Sequence, residues 1–161
     1  MNGTSYVSRM TGRQYVVFCL GDTHFGVPIL QVLRIIRLAP ITRVPRAPRF
    51  LEGVINYHGQ LAPVVDLHKR LALPEVEYGD AARILIVELG TQIIGMLVDS
   101  IIGITRLPEN DIHPPPEMVA QVNGVYLTGV AHQDERLMVI LDLSRVLAAE
   151  EVKEMDAWRA A

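Results

Sequence analysis

The sequence contains an internal duplication, which limits the folds open to the chain more than any other feature does. A mostly apolar run at residues 15–20 is followed by a polar turn at 21–24 and a second apolar run at 25–27, and the same order recurs at 84–89, 90–93 and 94–96. Short apolar runs bounded by glycine and polar residues are typical of strands joined by tight turns. The chain is therefore predicted to form the same β-hairpin twice.

The rest of each copy keeps the same order of motifs. Four pairs share an offset of 69 residues (90 − 21, 95 − 26): Gly21 with Gly90, Gly26 with Gly95, Val32 with Ile101, and Ile35 with Ile104. Further on, Gly53-Val54 is aligned with Gly124-Val125, Gly59 with Gly129, and residues 63–67 with 139–143. This alignment predicts an insertion at residues 132–136 of the later copy, as expected of a solvated loop tip.

Strand-like runs dominate the sequence, so the predicted fold class is mainly β with few short helices. Copies at about residues 15–71 and 84–147 predict two small pseudo-symmetric β subdomains, most simply closed as barrels because closure protects strand edges. They make up one domain at 14–148, between a flexible tail at 1–13 and a helical tail at 149–161.

Short helices are predicted at three places. Asp66 and Asp142 each follow a strand and are suited to cap a helix, the second leading towards Trp158. Residues 47–53 also fit a short helix, with Pro48 early and Gly53 at the end.

No pattern in the sequence predicts catalysis, a metal or a cofactor. The phosphate-loop, dinucleotide and nucleophile-elbow motifs are absent from the sequence, and the five histidines lack the spacing of a zinc site. Cys19 alternates with Tyr15 and Val17, which predicts a buried thiol in the core. The interpretation is a chain that is not an enzyme.

The composition bears on location and partners. A single cysteine and an N-terminus without an apolar signal core predict a cytoplasmic protein, and the apolar runs are too short to insert into a membrane. The net charge of −3 gives no overall attraction to nucleic acid. One stretch without acidic residues carries five arginines, namely Arg34, Arg37, Arg43, Arg46 and Arg49. It is either a solvated edge or a surface for an acidic partner.

Residues 50–67 (FLEGVINYHGQLAPVVDL) closely resemble the signature of CheW adaptors and of the related regulatory domain of chemotaxis histidine kinases. The resemblance extends over roughly residues 14–148, including residues 95–99 (GMLVD) and 126–130 (YLTGV). It implies two five-stranded SH3-like barrels packed side by side, with a hydrophobic groove that receives the cytoplasmic tip of a chemoreceptor. It also implies an adaptor in array rings, which couples methyl-accepting chemoreceptors to a CheA-type histidine kinase and meets other CheW-like domains.

The resemblance places the receptor-binding groove at seven residues: Val32, Arg34, Asn56, His58, Val98, Ile101 and Ile102. It places the kinase contact only on strands and turns of the second barrel. Two alternatives stay open: a kinase's own regulatory domain, and a nucleic-acid-binding β-barrel that uses the arginines. A separate adaptor without nucleic-acid partners is expected, because the chain opens with Met1 and carries neither dimerisation nor ATP-binding segments.

Two groove residues depart from the family pattern. The family usually has arginine where His58 stands and commonly an acidic residue where Arg34 stands. Histidine lacks the permanent charge and planar fork of arginine, and Arg34 reverses a sign. We therefore expect a variant adaptor with its own partner set.

Overall fold

The computed structural model describes residues 12–116, 126–133, 135–147 and Glu151. Within them lie eleven strands: β1 (Arg13–Leu20), β2 (Thr23–Pro28), β3 (Arg34–Arg37), β4 (Leu51–Tyr57), β5 (Gln60–Asp66), β6 (Arg83–Leu89), β7 (Gln92–Val98), β8 (Ser100–Leu107), β9 (Ile112–His113), β10 (Leu127–Gln133) and β11 (Arg136–Leu141). The helical segments are α1 (Leu67–Arg70) and three-residue 3-10 turns at Ile29–Gln31, Glu109–Asp111 and Leu143–Arg145. The prediction of a mainly β chain is confirmed.

The strands form two sheets, and each sheet mixes the two copies. The order is β8-β1-β2-β11-β10-β9 in the six-stranded sheet and β3-β6-β7-β5-β4 in the five-stranded sheet. The first hairpin of each copy therefore pairs with later strands of the other copy. The joins are parallel, between β2 and β11 and between β5 and β7. One sheet has six strands instead of the predicted five, because the two-residue strand β9 adds to its edge.

The strand pairing corrects the alignment of the two copies. A register shift precedes Gly53 in β4, and the same shift precedes Gly129 in β10. Gly53 therefore corresponds to Gly129 (129 − 53 = 76), and its predicted match with Gly124, which lies outside the described residues, is wrong. Gly59 likewise does not match Gly129. The β4–β5 and β10–β11 hairpins are equal in length, so the extra residues of the later copy lie in the connection between β8 and β10 and not at 132–136.

Three hydrophobic clusters hold the sheets, one within each sheet and a larger central core between them. Strand β6 contributes to two of these cores by simple alternation. Ile84 and Ile86 lie in the core of the five-stranded sheet, whereas Leu85 and Val87 lie in the central core, and all four are almost fully buried. A strand buried on both faces needs a continuous apolar run, which explains the sequence of β6.

The two capping predictions are confirmed. Asp66 Oδ1 accepts a hydrogen bond from the His68 N–H at 2.9 Å, and Asp142 Oδ1 accepts one from the Ser144 N–H at 3.0 Å. The first cap begins α1, and the second begins the 3-10 turn at Leu143–Arg145. A short polar side chain after a strand thus satisfies the first free amides of each turn.

Two other local predictions are wrong. Residues 47–53 do not form a helix, because β4 begins at Leu51 and Gly53 packs against the backbone of Thr42, where Thr42 bridges Val54. Cys19 is partly exposed and not a core residue, since it lies near the turn end of β1 opposite His24. The predicted tails at 1–13 and 149–161, with Trp158, lie outside the described residues apart from Gly12, Arg13 and Glu151. No helix among the described residues has the length and apolar character to cross a membrane.

Candidate functional site

The seven residues predicted to line a groove divide into three groups. Val32 and Ile101 are half-buried against the central core, while Val98 is fully buried within it. Arg34, Asn56 and His58 are exposed at one end of the five-stranded sheet, and Ile102 is exposed on β8 at the edge of the six-stranded sheet. Val98 therefore has no surface to offer a partner. Its predicted contact is corrected to a role in packing, because β7 is buried on both faces.

Arg34 and His58 are in direct contact. The Arg34 Nη1 atom lies 3.1 Å from the His58 Nε2 atom, although 24 positions separate the residues in sequence. β3 and β4 occupy opposite edges of the five-stranded sheet, so the sheet must curl to bring these two side chains together. Arg34 and His58 are therefore one feature of the surface.

The turn between β4 and β5 fixes the position of His58. His58 and Gly59 both have positive φ angles, of 50° and 84°, as the two central residues of a tight hairpin of the primed type do. Asn56 Oδ1 accepts a hydrogen bond from the Gly59 N–H at 2.8 Å, and the Tyr57 ring packs edge-on against the His58 ring at 4.4 Å. Asn56 thus supports the turn, and the imidazole is held beside Arg34.

Each copy also exposes three large apolar side chains at equivalent positions. The first patch is Leu33, Ile35 and Leu61, and the second patch is Ile102, Ile104 and Leu137. The pairs are related by the offsets of 69 and 76 residues that relate the strands (102 − 33, 104 − 35, 137 − 61). These side chains are between 37% and 56% exposed. Exposed apolar residues therefore recur at matching positions in the two copies.

Sequence reasoning missed most of these patch residues. Ile35 and Ile104 were matched as equivalents, but their exposure was not predicted. A signal was present in β8, where Ile102 and Ile104 alternate with Gly103 and Thr105, and both β3 and β8 lie at the edge of their sheets. A free edge with alternating apolar side chains is unprotected against pairing unless a partner covers it.

The arginine-rich stretch does not form one free basic surface. Arg43 pairs with Glu52 at 3.4 Å, and Arg49 pairs with Glu75 at 2.7 Å. The hydrogen bond from Arg49 lowers the pKa of the Glu75 carboxyl below its usual value. Two of the five arginines thus have a carboxylate partner within the chain, although Glu52 also pairs with Lys69 at 3.1 Å, and this weakens the nucleic-acid hypothesis.

A buried polar network joins the two sheets below these surfaces. The buried His68 on α1 places Nε2 at 2.9 and 3.0 Å from the two carboxylate oxygens of Asp99, and Asp99 Oδ2 accepts a hydrogen bond from the Gly21 N–H at 2.6 Å. Gly21 belongs to the β1–β2 turn of the six-stranded sheet, whereas α1 follows β5 of the other sheet. The network therefore fixes one end of the molecule.

The two capping aspartates take further hydrogen bonds. Tyr78 donates its hydroxyl to Asp66 Oδ1 at 2.6 Å, and burial followed by this hydrogen bond raises the pKa of Tyr78 above its ordinary range. Burial also tends to raise the pKa of Asp142, but the hydrogen bonds from Ser144 and Gln31 outweigh it, so this pKa is lowered. Among the described residues, no three His, Cys, Asp or Glu side chains are placed to hold a metal ion. The hydrogen bonds that Asp66 and Asp142 accept from the amides of His68 and Ser144 stabilise the turns that follow β5 and β11.

Comparison with known proteins gives a consistent result. Residues 14–151 match the model of the CheW-like domain family. The chain is 29% identical over 160 residues to the chemotaxis protein CheW of Klebsiella aerogenes, covering 97% of this chain and 96% of the relative. It is 34% identical to the chemotaxis protein CheW of Bacillus subtilis (87% and 90% covered) and 31% identical to protein FrzA of Myxococcus xanthus (84% and 85% covered).

A solved structure is also similar to the chain. The crystal structure of scaffolding protein TtCheW from Thermoanaerobacter tengcongensis superimposes with a TM-score of 0.80 at 31% sequence identity. The match covers 88% of this chain and 96% of that one. The strand arrangement described above is therefore shared with a protein whose stated role is scaffolding.

Proposed function

The chain belongs to the CheW-like domain family, and we propose that this chemotaxis scaffold is a non-catalytic adaptor between chemoreceptors and a CheA-type histidine kinase. The adaptor holds the cytoplasmic tip of a methyl-accepting receptor on one surface and the regulatory domain of the kinase on another. Protein contacts of this kind place it in receptor arrays at the membrane and next to other CheW-like domains.

The observation that carries this proposal is the pair of equivalent apolar patches. An adaptor needs two docking surfaces, and the duplicated sequence supplies one equivalent set of exposed apolar residues on each sheet. Exposed leucine and isoleucine side chains surrounded by polar residues are suited to such contacts, in which apolar groups are buried at the centre of a polar rim.

The receptor tip is assigned to the end of the five-stranded sheet. There Arg34 and His58 are in contact, and Leu61 of the first patch follows the turn that carries His58. The kinase regulatory domain is assigned to the second patch on the six-stranded sheet, where Leu137 follows the β10–β11 turn. The sheet that carries this patch contains all the later strands of the second copy.

Neither alternative function gains support. A nucleic-acid-binding barrel requires a continuous basic groove and aromatic platforms, whereas two of the arginines are paired with glutamates. A regulatory domain of the kinase itself is the other alternative, but this chain matches the chemotaxis proteins CheW of Klebsiella aerogenes and Bacillus subtilis over most of their length.

Binding measurements with matched variants test the proposal. Leu61→Ser should weaken binding of a soluble receptor-tip hairpin, and Leu137→Ser should weaken binding of the kinase regulatory domain. Burying the exposed half of a leucine side chain is worth about 1 kcal/mol, so each affinity should fall about fivefold. Val76→Ser is the control, because Val76 is a similarly exposed apolar residue outside both patches.

Two outcomes contradict the proposal. The adaptor function fails if the unaltered chain binds neither protein at micromolar concentrations in a calorimeter. The assignment of the patches fails if Leu61→Ser and Leu137→Ser bind both proteins as tightly as Val76→Ser does.

A further inference from the structure

We infer that Arg34 and His58 together form a specificity site for a carboxylate on the receptor tip, an inference that rests on the proposed adaptor function. The contact between them fixes the charge of the site. Arginine has hydrogen-bond donors only, so the His58 Nε2 atom at 3.1 Å must accept the bond from Arg34. The imidazole in this contact is neutral, with its proton on Nδ1, and the pair carries a single positive charge.

That charge is not balanced within the described part of the chain. Arg43 and Arg49 each have a glutamate partner, whereas no carboxylate in the described residues lies within ion-pairing distance of Arg34. Arg34 is exposed, and one of its N–H groups is occupied by His58. A planar guanidinium carries further N–H donors, which can form two parallel hydrogen bonds with one carboxylate.

The site is held in place before any partner binds. Pairing of β3 with β6 fixes the backbone of Arg34, and the tight β4–β5 turn with the Tyr57 ring fixes His58. The histidine then holds the guanidinium at the end of the sheet. Preorganisation of this kind lowers the entropic cost of binding and favours one orientation of the partner.

The surroundings of the pair limit the partner. Leu33 and Ile35 precede and follow Arg34 along the chain, so their side chains lie on the opposite face of β3 from the Arg34 side chain. A matching receptor segment therefore presents an aspartate or glutamate at the end of the sheet where Arg34 and His58 meet. It pairs this carboxylate with the Arg34 guanidinium.

The direct contact also explains why the two departures from the family pattern occur together. An acid at position 34 and an arginine at position 58 would stand within reach of one another and neutralise each other. In this chain, Arg34 and His58 leave one net positive charge at the same place. A receptor tip suited to a neutral pair lacks the matching carboxylate, and one with a cation there is repelled.

A charge exchange tests the inference. The probe is the soluble hairpin tip of a chemoreceptor from the same organism, titrated calorimetrically at low and high salt. Arg34→Met should weaken binding about tenfold, equivalent to about 1.4 kcal/mol, and should reduce the salt dependence. Arg37→Met, an exposed arginine three residues further along β3, is the control and should bind like the unaltered chain.

The second arm seeks the carboxylate on the partner. Each acidic residue of the receptor tip is changed to lysine in turn. One of these receptor variants should no longer bind the unaltered chain, and the same receptor variant should bind Arg34→Glu. The double variant Arg34→Glu/His58→Arg, with its internal ion pair, should bind the unaltered tip at least tenfold more weakly.

The outcomes separate the inference from the function on which it rests. If the unaltered chain binds no receptor tip, the adaptor function itself fails. If the unaltered chain binds but Arg34→Met and the double variant bind with unchanged affinity and salt dependence, the carboxylate site is refuted while the adaptor function stands.

Discussion

Removal of the Asp99 carboxylate should destabilise the fold strongly, because this group joins elements of both sheets. In Asp99→Ala the amide of Gly21 loses its acceptor at 2.6 Å, and the His68 Nε2 atom loses its partner at 2.9 Å. His68 is only 2% exposed, and its Nδ1 atom already lacks a hydrogen-bond partner. The variant therefore leaves a buried imidazole without any hydrogen bond.

The magnitude follows from these contacts. Hydrogen bonds to a charged acceptor contribute about 1.5–3 kcal/mol, and a buried polar group left without a partner costs about 1–3 kcal/mol. We expect Asp99→Ala to lower the free energy of unfolding by about 3–4 kcal/mol. For a chain of 161 residues this corresponds to a fall in Tm of roughly 10 °C. Urea and thermal unfolding followed by circular dichroism measure both quantities.

Two further variants show whether the loss of unfolding free energy comes from this network or would follow from any mutation nearby. Asp22→Ala, in the same turn as Gly21 but exposed, should change the free energy of unfolding by less than about 0.5 kcal/mol. In a double-mutant cycle, His68→Leu combined with Asp99→Ala should cost at least about 1 kcal/mol less than the sum of the single changes. Additive costs, or a cost below about 1 kcal/mol for Asp99→Ala, would refute the reasoning.

Two more predictions concern the Asp142 cap and the close packing of Gly53 in β4. Burial tends to raise the pKa of Asp142, but hydrogen bonds from Ser144 lower it below its usual value, so the charged carboxylate stabilises the fold above the pKa of the unfolded state. The unaltered chain should therefore be more stable than Asp142→Asn at pH 7, and this difference in the free energy of unfolding should shrink as the pH falls below about 4. Unfolding measured across a series of acidic pH values tests this. Gly53→Ala should cost about 2–3 kcal/mol in urea unfolding, because the new methyl group overlaps the Thr42 backbone oxygen, whereas Gly79→Ala meets no atom and should be nearly neutral. A pH-independent difference for Asp142→Asn, or equal costs for the two alanine variants, would contradict these explanations.

The local elements were predictable because they depend on neighbouring residues. Both hairpins, the glycine turns and the two aspartate caps follow from spacing that is visible in the sequence, and all are present. The prediction of a helix at 47–53 was wrong because Pro48 and Gly53 are as compatible with a turn followed by a strand as they are with a helix. Only the packing of Gly53 against Thr42 decides between these two structures.

Local sequence patterns could not predict how the strands of the two copies pair in the sheets. Two copies with the same motifs offer the same pairing partners, so the exchange of hairpins between sheets depends on the tertiary fold alone. Val98 was misplaced for a related reason, since a strand buried on both faces has no alternation from which exposure can be inferred. The contact of Arg34 with His58 required the sheet to curl, which no periodicity specifies.

In the proposed function, one molecule of the chain bridges a receptor tip and a kinase regulatory domain. Sedimentation of receptor tips displayed on vesicles, with the kinase regulatory domain in solution, measures this bridging. The kinase domain should sediment with the vesicles only when the chain is added, and Leu61→Ser and Leu137→Ser should each reduce this recruitment. If the receptor tip and the kinase domain displace one another from the chain, the claim of two separate docking surfaces is contradicted.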